Sequence, residues 1–352
     1  MKVSHRLCIF LVVVSAPFFG QQRPTSPSLI TLDVVVTNKS GIAQAGLQQQ
    51  DFTLLDNKTP QKIVSFQAVE GTTAGVPPVE VVLFIDTVNT GSQTVSDARL
   101  QITRYLQRNG GKLTNPTSII VFSDSGLKNL GQPTLDGNAL SALLSQKDVI
   151  GLRSLHNAAG AHGAAERLVS SLRNLYSVAS FEANKPGRKA LIWISPGWPA
   201  SGADMYSEVK EQVFSSLVLV STALQQARVT LYSIDPEGAG GGRNRFAYQA
   251  YLKPITAAKY VSPANMSLPV LVTHSGGRVL NNSNDIGAQI DDCILDTKAY
   301  YVISFEGIST ERPDEYHAIE LNVDKPELTA RTSAGYYAQP EKRPGTPEGK
   351  EE

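Results

Sequence analysis

The residue best placed to do chemistry is Asp86, which closes the apolar run Val81-Val82-Leu83-Phe84-Ile85 and is followed by Thr87-Val88-Asn89-Thr90. A short, near-continuous apolar run halted by a carboxylate reads as a strand buried on both faces of a parallel sheet. In open α/β sheets, ligands sit just beyond the carboxyl ends of such strands. A carboxylate there, with amide and hydroxyl groups close behind, has the oxygen chemistry that a hard cation such as Mg²⁺ uses.

Other candidate chemistries are weaker. The glycine-rich stretch 238–242 follows an apolar run, but a dinucleotide fingerprint needs an acidic residue about 20 positions on. No Asp or Glu occurs between Glu237 and Asp285, so a plain connection is expected. His5, His156, His162, His274 and His317 are too scattered to form a recognisable ligand set. Ser123-Asp124-Ser125-Gly126 and His274-Ser275 lack the Gly-x-Ser-x-Gly frame of a nucleophile elbow. A hydrolase would need Ser or Asp beside His156 or His274, and that reading comes last. Cys293 falls on the apolar stripe of a helix and reads as an inert thiol. Asp291 and Asp292 are adjacent on that helix and read as a solvated face.

The elements that must position Asp86 follow from hydrophobic period. Helices are expected after Ser96, which can cap one, after Asp136, over about 154–179, from Asp204, over about 246–260, and after Asp285. Apolar strands are expected at 117–122, 188–195 and 229–234, with an edge strand at 127–132. Strands separated by helices of this length imply a mostly parallel sheet with helices on both faces. Before it, 29–37, 51–56 and 61–66 are β-rich; after it, 299–305, 316–323 and 328–331 alternate as half-buried strands, ending near Tyr336-Tyr337. Neither β segment is large enough to close a core alone, so the two are expected to combine into a small sandwich. The expected division is a signal segment at 1–20, a β unit and linker at 21–78, an α/β domain at 79–297, a C-terminal β segment at 298–339 and a solvated tail at 340–352.

Composition narrows the class. The chain is 41% hydrophobic and 18% charged, with 32 basic and 32 acidic residues and a net charge of zero, so it is globular and lacks the basic face of a nucleic-acid binder. Lys2 and Arg6, an apolar stretch at 7–19 and a polar exit at Gly20-Gln21 fit a secretory signal peptide. The stretch is shorter than the roughly 20 residues of a membrane span. Removing it takes away Cys8 and leaves Cys293, so no intrachain disulfide is expected, and the product is read as exported, periplasmic or extracellular.

The order of elements resembles the von Willebrand factor A-type (vWA) fold, a doubly wound, Rossmann-like α/β architecture. More closely, the chain resembles a bacterial family of secreted VWFA-related proteins over nearly its whole mature length. The residues that carry this are Gly46-Leu47, Asp51-Phe52, 61–66, Phe84-Ile85-Asp86, Ser275-Gly276-Gly277-Arg278, Asn284-Asp285, 299–305 and Gly335-Tyr336-Tyr337. The resemblance implies a secreted scaffold for protein contacts with no catalytic activity. It also implies a metal-site pattern, Asp-x-Ser-x-Ser with a later Thr and Asp, from which this chain departs. Val88 has no oxygen to offer, Arg153 lies near the threonine position, Ser154 reaches it only with a shift, and Pro196 replaces the second aspartate. The metal site is therefore read as degenerate, with Asp86 capping neighbouring amides or pairing with Arg153. The alternative is a Mg²⁺-dependent adhesin with Asp86 and Thr90 still on the ion. The expected contact surface is a rim of loops carrying Asp86, Asn89, Thr90, Arg153, Ser154, Ser195 and Trp198, the last as an exposed aromatic anchor.

Overall fold

The computed structural model describes residues 29–71, 73–146, 160–199, 205–238, 247–308, 310 and 312–339. The chain opens with β1 (Leu29–Asn38), β2 (Phe52–Asp56), β3 (Thr59–Gln61) and β4 (Ile63–Glu70). The α/β part follows with β5 (Glu80–Asp86), α1 (Ser92–Gln107), β6 (Lys112–Ser123), β7 (Gly126–Asn129), β8 (Thr134–Asp136) and α2 (Gly137–Leu144). It continues through α3 (Gly160–Glu182), β9 (Lys189–Ile194), α4 (Ser207–Gln226), β10 (Val229–Ile234), α5 (Leu268–His274), β11 (Val279–Leu280) and α6 (Ile286–Leu295). β12 (Ala299–Glu306), β13 (Glu315–Val323), β14 (Leu328–Arg331) and β15 (Gly335–Ala338) close the described chain.

The central sheet has the order β11-β10-β9-β5-β6-β7, with β8 also on β6. β5, β6, β9, β10 and β11 are parallel, while β7 and β8 run antiparallel against β6. All seven residues of β5 are buried, as the unbroken apolar run demands. The pleat sends them alternately to two layers. Val82 and Phe84 join a core with Leu172 and Leu175 of α3 and Val213 and Leu217 of α4. Val81, Leu83 and Ile85 join a second core with Ile102 and Leu106 of α1 and Ile290 and Cys293 of α6. Each such side chain contributes about 1.5–3 kcal/mol by leaving water. The strand order reverses at β5, whose neighbours are β6 on one side and β9 on the other, so the crevice above β5 and β9 is the topological switch point. This is a vWA-like α/β fold.

The flanking β segments interleave. One sheet has the order β14-β1-β12-β4 and the other β15-β13-β2-β3, so each contains strands from before and after the α/β part. Leu32 lies opposite Ile303 and Leu54 opposite Leu321. Their inward faces, including Val34, Phe52, Tyr301 and Phe305, share one core. Polar contacts pin this sandwich to the α/β part, among them two arginine–aspartate pairs. Arg228 Nε donates to Asp33 Oδ2 at 3.1 Å, and Arg331 Nη2 donates to Asp296 Oδ2 at 2.8 Å.

Local signals were mostly honoured at helix starts. Asp136 accepts from Ala139 N, and Asp285 from Ala288 N, as N-cap carboxylates do. Ser96 is not a cap: α1 begins at Ser92 after Gly91, and Ser96 Oγ donates back to Ser92 O. The helix expected over 246–260 is replaced in its described part by two 3₁₀ turns, Tyr248–Tyr251 and Ala258–Tyr260. Pro254 sits between them and cannot donate to a continuous helix. The third N-terminal strand divides into β3 and β4. α5, with Pro269 in its first turn, is an additional helix. No helix among the described residues is long and apolar enough to cross a membrane. The expected signal segment at 1–20 and the tail at 340–352 lie outside the described residues.

Candidate functional site

Asp86 stands at the carboxyl end of β5 with no exposed surface. Four N–H groups converge on its carboxylate. Oδ1 accepts from the backbone N of Val88 and of Asn89, both at 2.9 Å. Oδ2 accepts from Asn89 Nδ2 at 2.7 Å and from Trp193 Nε1 at 2.9 Å. The first pair follows from chain direction, since a strand-terminal Asp turns its side chain onto the amides just ahead of it. The last comes from β9, where Trp193 lies beside Phe84 in register, with ring centroids 4.4 Å apart. Burial raises the Asp86 pKa above the usual carboxylate value, against the opposing effect of the Asn89, Trp193 and Ser195 hydrogen bonds.

The network extends inward. Asn89 Nδ2 also reaches Ser171 Oγ on α3 at 3.0 Å, while Asn89 Oδ1 is buried without a hydrogen-bond partner. Thr90 Oγ1 donates to Ser195 Oγ at 3.3 Å, and Ser195 Oγ accepts from Gly197 N at 2.9 Å. Gly197 has φ +82°, and a Cβ there would stand 2.9 Å from Leu268 Cβ, so glycine is required at this turn. Val88 points into the α3/α4 core. The pattern position from which a hydroxyl would serve a cation is thus spent on packing.

The structure brings Asp86, Asn89, Thr90 and Ser195 together, but inside the molecule. Each is 3% exposed or less, so as a contact rim they are corrected to an internal scaffold. Trp198 is corrected in the same way. It is 3% exposed, donates from Nε1 to Met266 O at 2.9 Å, and meets Trp193 edge-on with centroids 5.9 Å apart. An indole that finds both an aromatic neighbour and a carbonyl acceptor gains more inside than in water. Arg153, Ser154 and His156 lie outside the described residues, as do residues 239–242 of the glycine-rich loop. Exposed positions at the same end of the sheet include Gln93 at the start of α1, Asp124 in the β6–β7 turn, and Pro199.

Trp193 and Ser171 are the site residues that the sequence pattern did not mark. The signal for Trp193 was an indole N–H in the middle of an apolar strand, where a donor needs an acceptor close at hand. Ser171 gave none.

A hard cation would take oxygen ligands, whereas four of the groups aimed at Asp86 are N–H donors of the opposite polarity, beside the Ser195 hydroxyl. Among the described residues, no group of three or more His, Cys, Asp or Glu side chains could hold a metal ion. Among the described residues, His274 and Ser275 form no nucleophile–base pair: His274 Nε2 lies 3.1 Å from Leu252 O, and Ser275 Oγ is engaged with Val272 O and Leu231 N. Cys293 is buried in the α1/α6 core, which pushes its thiol far up. Asp291 and Asp292 are exposed as expected, with Asp291 3.0 Å from Arg108.

No protein-family model matches the chain, and no curated protein matches it. Among solved structures, similarity is found to the manganese-loaded Plasmodium vivax TRAP protein, at 11% identity over 76% of this chain and 96% of that one, with a TM-score of 0.33. The pilus adhesin SpaC from Lactobacillus rhamnosus GG aligns at 10% identity over 90% of this chain and 49% of its own, with a TM-score of 0.35. The SpRpn10 VWA domain aligns at 13% identity over 51% of this chain and 96% of its own, with a TM-score of 0.23. At these scores the likenesses carry no argument about function, and the fold is assigned from the strand order and helix layers of the chain itself.

Proposed function

We propose that this chain is an exported, non-catalytic protein-interaction module of vWA type, related to the bacterial secreted VWFA-related proteins, and that it binds a protein partner without a resident cation. The supporting observation is the closure of Asp86 by four N–H donors. A carboxylate so enclosed has no lone-pair direction left for Mg²⁺, and it serves to hold the strand-end loops in place. The contact surface is then the exposed part of the same loops, where Gln93, Asp124 and Pro199 stand, over a buried scaffold of Asp86, Asn89, Thr90, Ser195 and Trp198.

One observation favours a second reading, the Mg²⁺-dependent adhesin. Asn89 Oδ1 is buried and unpaired, with Asp86 and Thr90 close by, and a hard cation would satisfy it. Capture of a partner from the secreted or periplasmic fraction, with the mature chain as bait, separates the two. The proposal expects equal capture in Mg²⁺ and in chelator, with loss on Asp124→Arg or Gln93→Arg. Capture abolished by chelator would establish the adhesin instead.

A further inference from the structure

The outer strands of the sandwich differ in how open they are to further pairing. β3 has three residues with Pro60 at its centre, β14 has four residues, and β15 has four and lies against Phe214 of α4. β4 runs for eight residues, Ile63–Glu70, and nothing from Ile63 to Val69 is charged or a proline. Shortness, proline and charge are the usual guards of a sheet edge, and this stretch of β4 has none of them.

Successive residues of a strand turn their N–H and C=O groups to opposite edges. Gly71 N donates to Lys298 O, just before β12, at 2.9 Å, so the residues of β4 that face away from β12 are Glu70, Ala68 and Phe66. The register of β4 on β12 is regular from Ser65 to Glu70, and its irregularity lies beyond, between Ser304 and Phe305. Both ends of the outer edge are closed. Thr73 Oγ1 accepts from Glu70 N and donates to Glu70 O, each at 3.1 Å, and Gln49 Nε2 donates to Ile63 O at 3.4 Å. Between them stand the N–H and C=O groups of Phe66 and Ala68. Among the described residues, no strand and no turn hydrogen bond meets these groups.

We propose that β4 pairs antiparallel with β4 of a second copy of this chain, joining two sandwiches through one continuous sheet. A two-fold pairing presents the same edge on both sides, and the open groups fix its register. Phe66 opposite the partner's Ala68 uses every open N–H and C=O group on both copies, with the axis at Gln67. Three features of the strand fit that register. Phe66 and Ala68 are half-buried on the core face of the sandwich, so the ring of each copy is covered by the methyl of the other. Gln67 is exposed on the opposite face, where it meets its own copy through an amide that both donates and accepts. Lys62, exposed at one end of the strand, falls diagonal to the partner's Glu70, within reach of a long side chain. The seam is short, so the association is weak and concentration-dependent.

The test is sedimentation of the full chain at concentrations from about 10 µM to about 1 mM, the range of a small interface. Wild type is expected to pass from monomer to dimer. Ala68→Pro removes an N–H that faces away from β12, where an edge strand tolerates proline, and is expected to stay monomeric. Gln67→Lys sets two like charges opposite each other at the axis and is expected to weaken association roughly tenfold. The register is read by disulfide formation with oxidised glutathione, in a Cys8→Ser background. Gln67→Cys is expected to link the copies, since residues paired at such a position have Cα atoms about 4.5 Å apart; Ser65→Cys, set farther from the axis, is expected not to. A wild type that stays monomeric, a dimer that survives Ala68→Pro, or linkage at Ser65 as fast as at Gln67 would each overturn the proposal.

Discussion

Asp86 and Asp296 are both fully buried carboxylates at opposite ends of one parallel sheet, and they are stabilised by different means. Asp86 is surrounded by neutral N–H donors drawn from its own loop and from Trp193. Asp296 is surrounded by cations. Its Oδ2 accepts from Arg331 Nη2 and from Tyr232 Oη at 3.0 Å, with Arg278 Nε 3.4 Å away, while its backbone carbonyl accepts from Arg188 Nη1 at 2.8 Å. Arg188 is itself buried and lies 4.9 Å over the Tyr300 ring. The first arrangement holds one loop cluster in shape with no change of charge. The second ties three parts of the chain together through charge: the end of α6, the entry to β9 and the sandwich strand β14. Dipoles suffice where one neighbouring turn must be ordered, whereas full charges are used where distant segments must be locked in register.

The largest expected effect comes from breaking the charged cluster. Asp296→Ala leaves the partly buried Arg278 and Arg331 guanidinium groups without their paired carboxylate and is expected to cost about 3–5 kcal/mol, read as a lowered urea midpoint. Asp86→Ala leaves four N–H donors unpaired but no buried charge, and a smaller loss of about 2–3 kcal/mol is expected. If the two losses were equal, dipoles and charges would not be doing different work. Trp193→Phe keeps the ring beside Phe84 and removes a single donor, for an expected cost of about 1.5–2 kcal/mol. Trp198→Phe removes the bond to Met266 O and is expected to cost about 1 kcal/mol, with partner capture unchanged; a selective loss of capture would restore Trp198 as a contact residue.

The pH dependence of Asp86 sharpens the contrast. Its folded pKa is raised by burial, so between the unfolded and folded values the native state binds more protons than the unfolded one. The contribution of Asp86 to stability is then fully present below the unfolded pKa, falls as pH rises through the folded pKa, and levels off above it. The stability of wild type relative to Asp86→Asn is therefore expected to decline over that window. A difference that grows with pH would mean that the four donors outweigh burial.

Much of the framework was legible in the sequence. The apolar run ending at Asp86 declared a two-sided buried strand, and the failure of either β segment to close a core foretold their interleaving in the sandwich. Pairing order between distant strands is not written in any local pattern, and residues 246–260 misled because their apolar content hid the break at Pro254. At the site, Asp86, Asn89, Thr90 and Ser195 were found by position at strand ends. Their burial was not, because a polar residue beyond a strand faces solvent or protein according to what folds over it. Trp198 illustrates this: a Pro-Gly-Trp-Pro loop reads as exposed until the Met266 carbonyl is placed beneath it.

On the proposed reading, the N–H donors around Asp86 leave no place for a cation. Calorimetric titration of Mg²⁺ and Mn²⁺ into the wild-type chain tests it most directly, with Asp86→Asn as the control and circular dichroism confirming that both are folded. The predicted result is no Asp86-dependent heat for either ion. Micromolar binding by the wild type that disappears in Asp86→Asn would contradict it.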